Sequence, residues 1–222
     1  MKMNFKPFTI SLMGSMPRSE QLLQAKRDLE FGQISKSEFD AILDHDTEEI
    51  VRLQEESGVD IITSGELDRD NYISFVADHV SGIKIMSNQE IIDLMLEQQR
   101  VGFEESLIER DADTANINNP ICYDRIDTNA SFELASMERL RKFTDLPLKA
   151  TMPSPYLLTR STWLTGVSDL VYESREELGR DIVQLILNEV KRLIDYGVSV
   201  IQLDDPILAE IVLADDEDES FY

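Results

Sequence analysis

The sequence predicts an α/β fold in which parallel strands alternate with helices, a (β/α)8 TIM barrel represented by about five βα units. Three observations carry that expectation. Five short apolar runs, at 9–14, 59–63, 121–126, 147–151 and 198–203, are separated by helical segments, which implies a parallel sheet with right-handed crossovers. Two of the units repeat one pattern of capping box, amphipathic helix, glycine, buried strand and acid. No GxGxxG or Walker phosphate loop, the usual mark of an open doubly wound sheet, occurs. The chain has 222 residues, against roughly 250 for a whole barrel, and five strands where eight close it. It therefore reads as the N-terminal part of such a domain, with 1–214 as one partial barrel and 215–222 (DDEDESFY) as an acidic tail.

In chain order, the run Phe8–Met13 ends in Gly14-Ser15-Met16-Pro17-Arg18, read as strand, turn and helix entry. Amides there either receive a carboxylate or phosphate, or the turn is a simple N-cap with proline in the first helical turn. Gln21–Phe31 is predicted helical, and Gly32–Ser37 links it to the next helix. Ser35 with Glu38 forms a capping box, Phe39, Ile42, Leu43, Ile50 and Leu53 give an apolar face, and Gly58 ends the helix. Val59–Thr63 then runs as a buried strand into Ser64, Gly65 and Glu66. In the charged segment that follows, Arg69 and Asp70 read as a pair on a solvated helix end. His45 and His79 read as structural, since no metal-like spacing surrounds them.

Ser87–Asn119 is the least regular stretch; Glu90–Glu109 is either a helix or an excursion over the barrel mouth. Pro120–Ile126 is the third predicted strand, with Cys122 a buried strand residue. Ser131–Phe143 is an amphipathic helix, Leu146–Thr151 the fourth strand, and Met152–Tyr156 a proline-rigid loop at the same face. Trp163 follows on a loop, where its ring either stacks on a ligand or covers the core. The pattern then returns: Ser174 and Glu177 as capping box, Leu178, Ile182, Leu185, Ile186, Leu193 and Ile194 as apolar face, Gly197 as stop, and VSVIQLDDPILAE as strand and acids. Aligning Gly58 with Gly197 places Glu66 on Asp205, so two units present carboxylates at equivalent strand ends, where parallel sheets bind ligands.

Composition narrows the function. A formal charge of −23, from 44 acidic and 21 basic residues, argues against nucleic acid and anionic membrane as partners. The single cysteine excludes an intrachain disulfide framework, and the sequence contains neither a secretory leader nor an apolar run of about 18 residues. A cytoplasmic protein acting on small molecules is the expectation.

Four motifs, Met13-Gly14-Ser15 with Pro17-Arg18, Gly58-Val59-Asp60 leading to Gly65-Glu66-Leu67-Asp68-Arg69, Lys149 to Pro155, and Ile201-Gln202-Leu203-Asp204-Asp205-Pro206, resemble in order and spacing the catalytic domain of the cobalamin-independent methionine synthase family. The resemblance implies a barrel of the uroporphyrinogen decarboxylase/methionine synthase-like type. It implies methyl transfer from a 5-methyltetrahydrofolate polyglutamate to homocysteine on a zinc-bound thiolate, without cobalamin. By the same resemblance, Met13, Gly14 and Ser15 hold the amino-acid carboxylate, Glu66 and Asp204 receive its ammonium, and Glu210 is the folate-side glutamate. The family's zinc ligands, a His-x-Cys pair, a glutamate and a distant cysteine, lie beyond the aspartate motif, and Cys122, His45 and His79 sit in other segments. No complete zinc site is expected in this sequence. The loop after Lys149 reads Pro-Ser-Pro where the family has Gly-Pro, which weakens the folate assignment. Two alternatives stay open: a superfamily member that works on another thiol or without zinc, with Ser154 and the 87–119 excursion as its marks, and an inactive amino-acid-binding protein. An open barrel edge also calls for self-association or a partner chain to cover it.

Overall fold

In the computed structural model, which describes residues 5–69, 73–94 and 119–207, the capping and glycine signals bound the two long helices where they were read, whereas the helix read over 131–143 covers only 134–140 and a further helix starts at Pro155, inside the stretch read as a loop. Helix α1 is Glu20–Glu30 and α2 is Lys36–Glu56. Both halves of the Ser35/Glu38 capping box form, and Gly58, just past the end of α2, adopts φ 76°. At the second copy of the pattern Glu177 N donates to Ser174 Oγ, but the Glu177 carboxylate accepts from Glu173 N. That helix, Arg175–Tyr196, likewise ends at a left-handed glycine, Gly197, with φ 100°.

The chain packs as two compact units. The first gathers Met1–Asp70, Ser131–Met152 and Glu189–Gln202, the second Asn71–Ala130, Pro153–Asn188 and Leu203–Tyr222. The first is built on strands β1 (Ile62–Thr63), β4 (Leu148–Pro153) and β5 (Val200–Asp204), which lie side by side in the order β1-β4-β5. β1 and β4 are parallel, with Ile62 opposite Leu148 and Thr63 opposite Lys149. Every residue of β4 is buried, as expected of a strand covered on both faces. Gln54 of α2 completes the far side of β1: its side chain exchanges 3.0 Å hydrogen bonds with both the N–H and the C=O of Thr63. Leu22 and Ala25 of α1 pack with Phe39, Leu43 and Ile50 of α2 and with Leu67.

Helix α5 (Leu134–Leu140) also belongs to this unit, and its start depends on a carboxylate from far along the chain. Glu189, fully buried, accepts on one oxygen from the amides of Phe132, Glu133 and Leu134 and from Ser131 Oγ, at 2.8–3.2 Å. The N-terminal amides of a helix need acceptors, and the dipole favours a negative one. Glu189→Ala would strand those donors and is expected to lower the unfolding free energy by roughly 2–3 kcal/mol in a urea titration.

The second unit departs from the prediction. Residues 121–126 were expected to continue a parallel sheet; instead β3 (Asn119–Cys122) pairs antiparallel with β2 (Ile83–Met86), Ile83 opposite Cys122 and Met86 opposite Asn119. β2, a strand not foreseen, is the partner that sets this direction, and Pro120 is tolerated on an edge where its missing N–H costs nothing. Met86, Ile121 and Val167 are packed with Ile91 of α4 (Asn88–Leu94). Cys122 is buried as read, and burial pushes its thiol up to about 12, which leaves it unreactive. The unit also holds α3 (Ser74–Ala77) and α6 (Pro155–Thr162), with Trp163 half-buried at the end of α6.

The first expected strand, 9–14, is also corrected. It makes one parallel bridge, Ser11 to Ile61, supported by Asp60 N and Ile61 N donating to Ile10 O and by Ile10 N donating to Asp60 Oδ2. Ile10, Ser11 and Met13 are exposed and find no second strand among the described residues, so the ladder does not extend. Most of the 90–109 segment, Glu210 and the acidic tail lie outside the described residues. Among the described residues no helix is long and apolar enough to cross a membrane.

Candidate functional site

Glu66 leaves β1 in the left-handed region, φ 55°, directly after Gly65, which is also left-handed at 65°. A glutamate rarely accepts that conformation, and such residues persist only where their surroundings over-determine them. Arg18 supplies the constraint. Its guanidinium donates to Glu66 O at 2.9 Å, to Leu67 O at 3.0 Å and to Arg69 O, clamping the 66–69 turn from 48 or more residues away. Met16 N adds a 2.9 Å bond to Gly65 O. The Pro17-Arg18 pair, read as a helix entry, thus also carries the clamp that shapes this turn.

The carboxylate so placed lies against Gly14. A Cβ built on Gly14 would stand 2.4 Å from Glu66 Oε1 and 3.5 Å from Thr151 Cγ2, so only glycine leaves room for the carboxylate there. Thr151 Oγ1, from β4, donates to Glu66 Oε1 at 2.7 Å. The Glu66 side chain stays 12% accessible, so it is not sealed off from solvent. Among the described residues the Gly14 and Ser15 amides donate to no protein acceptor. Met13 is 79% exposed, with its sulfur 3.6 Å from Gln202 Nε2.

Behind Glu66 lies a buried ion pair that local sequence did not reveal. Arg69, expected on a solvated helix end, is 2% exposed. Its Nη2 donates to Glu133 Oε2 at 2.6 Å and to Thr151 O at 2.8 Å, while Nη1 reaches Thr151 Oγ1 at 3.3 Å and lies 3.5 Å from Glu66 Oε1. Because the guanidinium can only donate, it points the Thr151 hydroxyl proton at Glu66. Glu133 is fully buried, and its Oε1 has no hydrogen-bond partner among the described residues. Burial pushes its carboxyl up to about 8; the Arg69 charge works against that shift, and Asp68 and Glu66 add to it.

The first unit therefore brings Gly14 and Glu66 together, joins them to Thr151, Arg69 and Glu133, and leaves the amides of Gly14 and Ser15 without an acceptor among the described residues. Asp204, at the end of β5, belongs to the second unit. Its neighbour Asp205 accepts a 2.5 Å hydrogen bond from Ser154 Oγ, and Ser154 in turn caps α6 by accepting from Leu157 N. Ser154 is thus engaged as a helix cap. His79 Nδ1 lies 2.8 Å from Phe75 O at the end of α3. Among the described residues no cluster of three or more His, Cys, Asp or Glu could hold a metal ion.

This arrangement offers donors for a carboxylate beside an acceptor for an ammonium, the two ends of a zwitterion. Comparison with known proteins gives that chemistry a context. The family described as "Cobalamin-independent synthase, Catalytic domain" matches residues 8–222. A 5-methyltetrahydropteroyltriglutamate–homocysteine methyltransferase of Xylella fastidiosa (strain M23) is 24% identical over 208 residues, 94% of this chain. The chain spans about a quarter, 24%, of that relative's length. Among solved structures, a B12-independent methionine synthase from Shewanella sp. W3-18-1 in complex with selenomethionine superposes with TM-score 0.56 at 21% identity, covering 78% of this chain and 44% of that one. A structure described as a vitamin-B12 independent methionine synthase from Listeria monocytogenes gives TM-score 0.63 at 17% identity, covering 96% and 56%. At these identities the structural likeness speaks for the fold.

Proposed function

The chain belongs to the family of cobalamin-independent synthase catalytic domains, and from that premise we propose that it carries the amino-acid-binding part of a methyl-transfer site that takes homocysteine as acceptor. The observation that carries this reading is the Glu66 carboxylate held against Gly14. In this reading Glu66 accepts the ligand's ammonium, and the Met13, Gly14 and Ser15 segment receives its carboxylate. The sulfur is left to extend away from the anchored end. That the Shewanella relative was solved with selenomethionine, an amino acid with the same zwitterionic head, supports the ligand class.

The barrel, the 5-methyltetrahydrofolate polyglutamate donor and a cytoplasmic location belong to the same proposal, and rest on the family. The shares of Asp204 in the ammonium and of Glu210 on the folate side rest on the resemblance of their motif alone. Zinc in this family would activate the thiol by lowering its pKa. The described residues do not fit a zinc ion, so the proposal covers anchoring of the amino acid and no step at a metal.

Isothermal titration of the chain with L-homocysteine, with and without zinc, tests the reading. Weak binding that does not require zinc is expected. A well-folded protein that binds no homocysteine would reduce the resemblance to one of fold. Gly14→Ala probes the close approach directly: its methyl group would displace the Glu66 carboxylate and is expected to weaken homocysteine binding about tenfold, the worth of one charged hydrogen bond.

A further inference from the structure

The Arg69 guanidinium stands between two carboxylates. It is 2.6 Å from Glu133 on one side and 3.5 Å from Glu66 on the other, and it holds Thr151, the donor to Glu66, by both the backbone and the hydroxyl. One positive charge therefore serves two acids, only one of which keeps an accessible edge. We propose that Glu133 is a positioning residue for the amino-acid site: by sharing Arg69 with Glu66, it sets how much of that positive charge Glu66 feels, and so how firmly Glu66 holds a ligand ammonium. The inference rests on the reading of Glu66 as the ammonium acceptor.

The physical consequence follows from charge counting. With Glu133 ionised, it balances Arg69, and Glu66 presents a full negative charge to the ligand. With Glu133 neutral, Arg69 balances Glu66 instead, and an arriving ammonium finds its partner already compensated. At 2% and 0% exposure for Arg69 and Glu133, water does little to screen the difference.

Among the described residues the other charges near Glu133 are few. Asp68 and Glu66 face it from the turn after β1 and favour its neutral form. Glu189, from the 175–196 helix, accepts from the Glu133 backbone amide and is paired with Arg192. On α5 itself, Arg139 is taken up by Asp40 and Asp44 of α2. Burial places the titration of Glu133 at about 8, within reach of ordinary buffers.

The test measures L-methionine affinity by calorimetry for the unaltered chain, Glu133→Gln and Glu66→Gln, at about pH 6 and about pH 8.5, on either side of that titration. The unaltered chain is expected to tighten about fivefold to tenfold at the higher pH, while Glu133→Gln stays flat and equals it at the lower pH. A purely structural Glu133 would weaken binding equally at both. A flat profile for the unaltered chain overturns the inference even if the variant does not fold. So does a Glu133→Gln profile that follows the unaltered one. If Glu66→Gln binds as well as the unaltered chain, the site reading itself fails; if it loses binding while Glu133→Gln follows the unaltered profile, only the role of Glu133 falls.

Discussion

Arg69→Met is expected to lower the unfolding free energy by about 2–4 kcal/mol, the cost of leaving the buried acceptors Glu133 Oε2 and Thr151 O without their donor. The methionine fills much of the arginine's volume, so the loss reports interactions rather than a cavity. Glu133 would lose its 2.6 Å charged partner, and Thr151 its donor at the carbonyl. The effect carries a pH signature. Glu133 titrates at about 8 in the folded chain against an ordinary value of 4.5, so between those values the folded state holds a proton that the unfolded chain has released. Stability from this group is therefore full below the ordinary value and declines as pH rises through about 8. Without Arg69 nothing offsets the burial, the titration moves higher, and the decline continues to higher pH. Urea titrations of both proteins across that range check the sign; a pH-independent difference would mean that Glu133 is not the titrating group.

Glu66→Gln is expected to weaken homocysteine binding about 10- to 100-fold, because a charged hydrogen bond to an ammonium is worth roughly 1.5–3 kcal/mol. Stability is expected to fall by roughly 1–3 kcal/mol as well, because Glu66 Oε1 lies 3.5 Å from the buried Arg69 guanidinium and is one of its two counter-charges, but the turn should keep its shape. Thr151 Oγ1 can donate to the glutamine oxygen as it does to Glu66 Oε1, and the Arg18 clamp holds backbone carbonyls that the substitution leaves in place. Calorimetry and thermal unfolding on the same sample separate the two quantities. Unchanged affinity in a stably folded variant would remove Glu66 from the site.

What could be read from residues alone follows the range of the forces involved. The long helices at 20–30, 36–56 and 175–196 were legible because periodicity, capping and a terminal glycine are local signals. β1 and β5 were legible because each is a short apolar run next to such a helix, and β4 because it is a wholly buried run after the helix at 134–140. β2 and the direction of β3 were not, since which strand pairs with 119–122 is decided by chain packing. Arg69 misled for a related reason: in Leu67-Asp68-Arg69-Asp70 it looks solvated, and the Glu133 that buries it is 64 residues away. Glu189 left a readable trace, a lone acid between Leu185 and Leu193 on an otherwise apolar helix face, which signals a buried carboxylate with distant donors. The close approach of Gly14 to Glu66 was visible only as membership of one family pattern; the distance came from the fold.

The central claim is that Glu66 holds an ammonium. The most direct test titrates the unaltered chain and Glu66→Gln with L-homocysteine and with 4-mercaptobutanoate, which keeps the thiol and the carboxylate but lacks the amine. The account predicts that the unaltered chain prefers homocysteine by about tenfold or more, and that Glu66→Gln loses most of that preference. Equal preference in the two proteins would place the ammonium elsewhere and contradict the account.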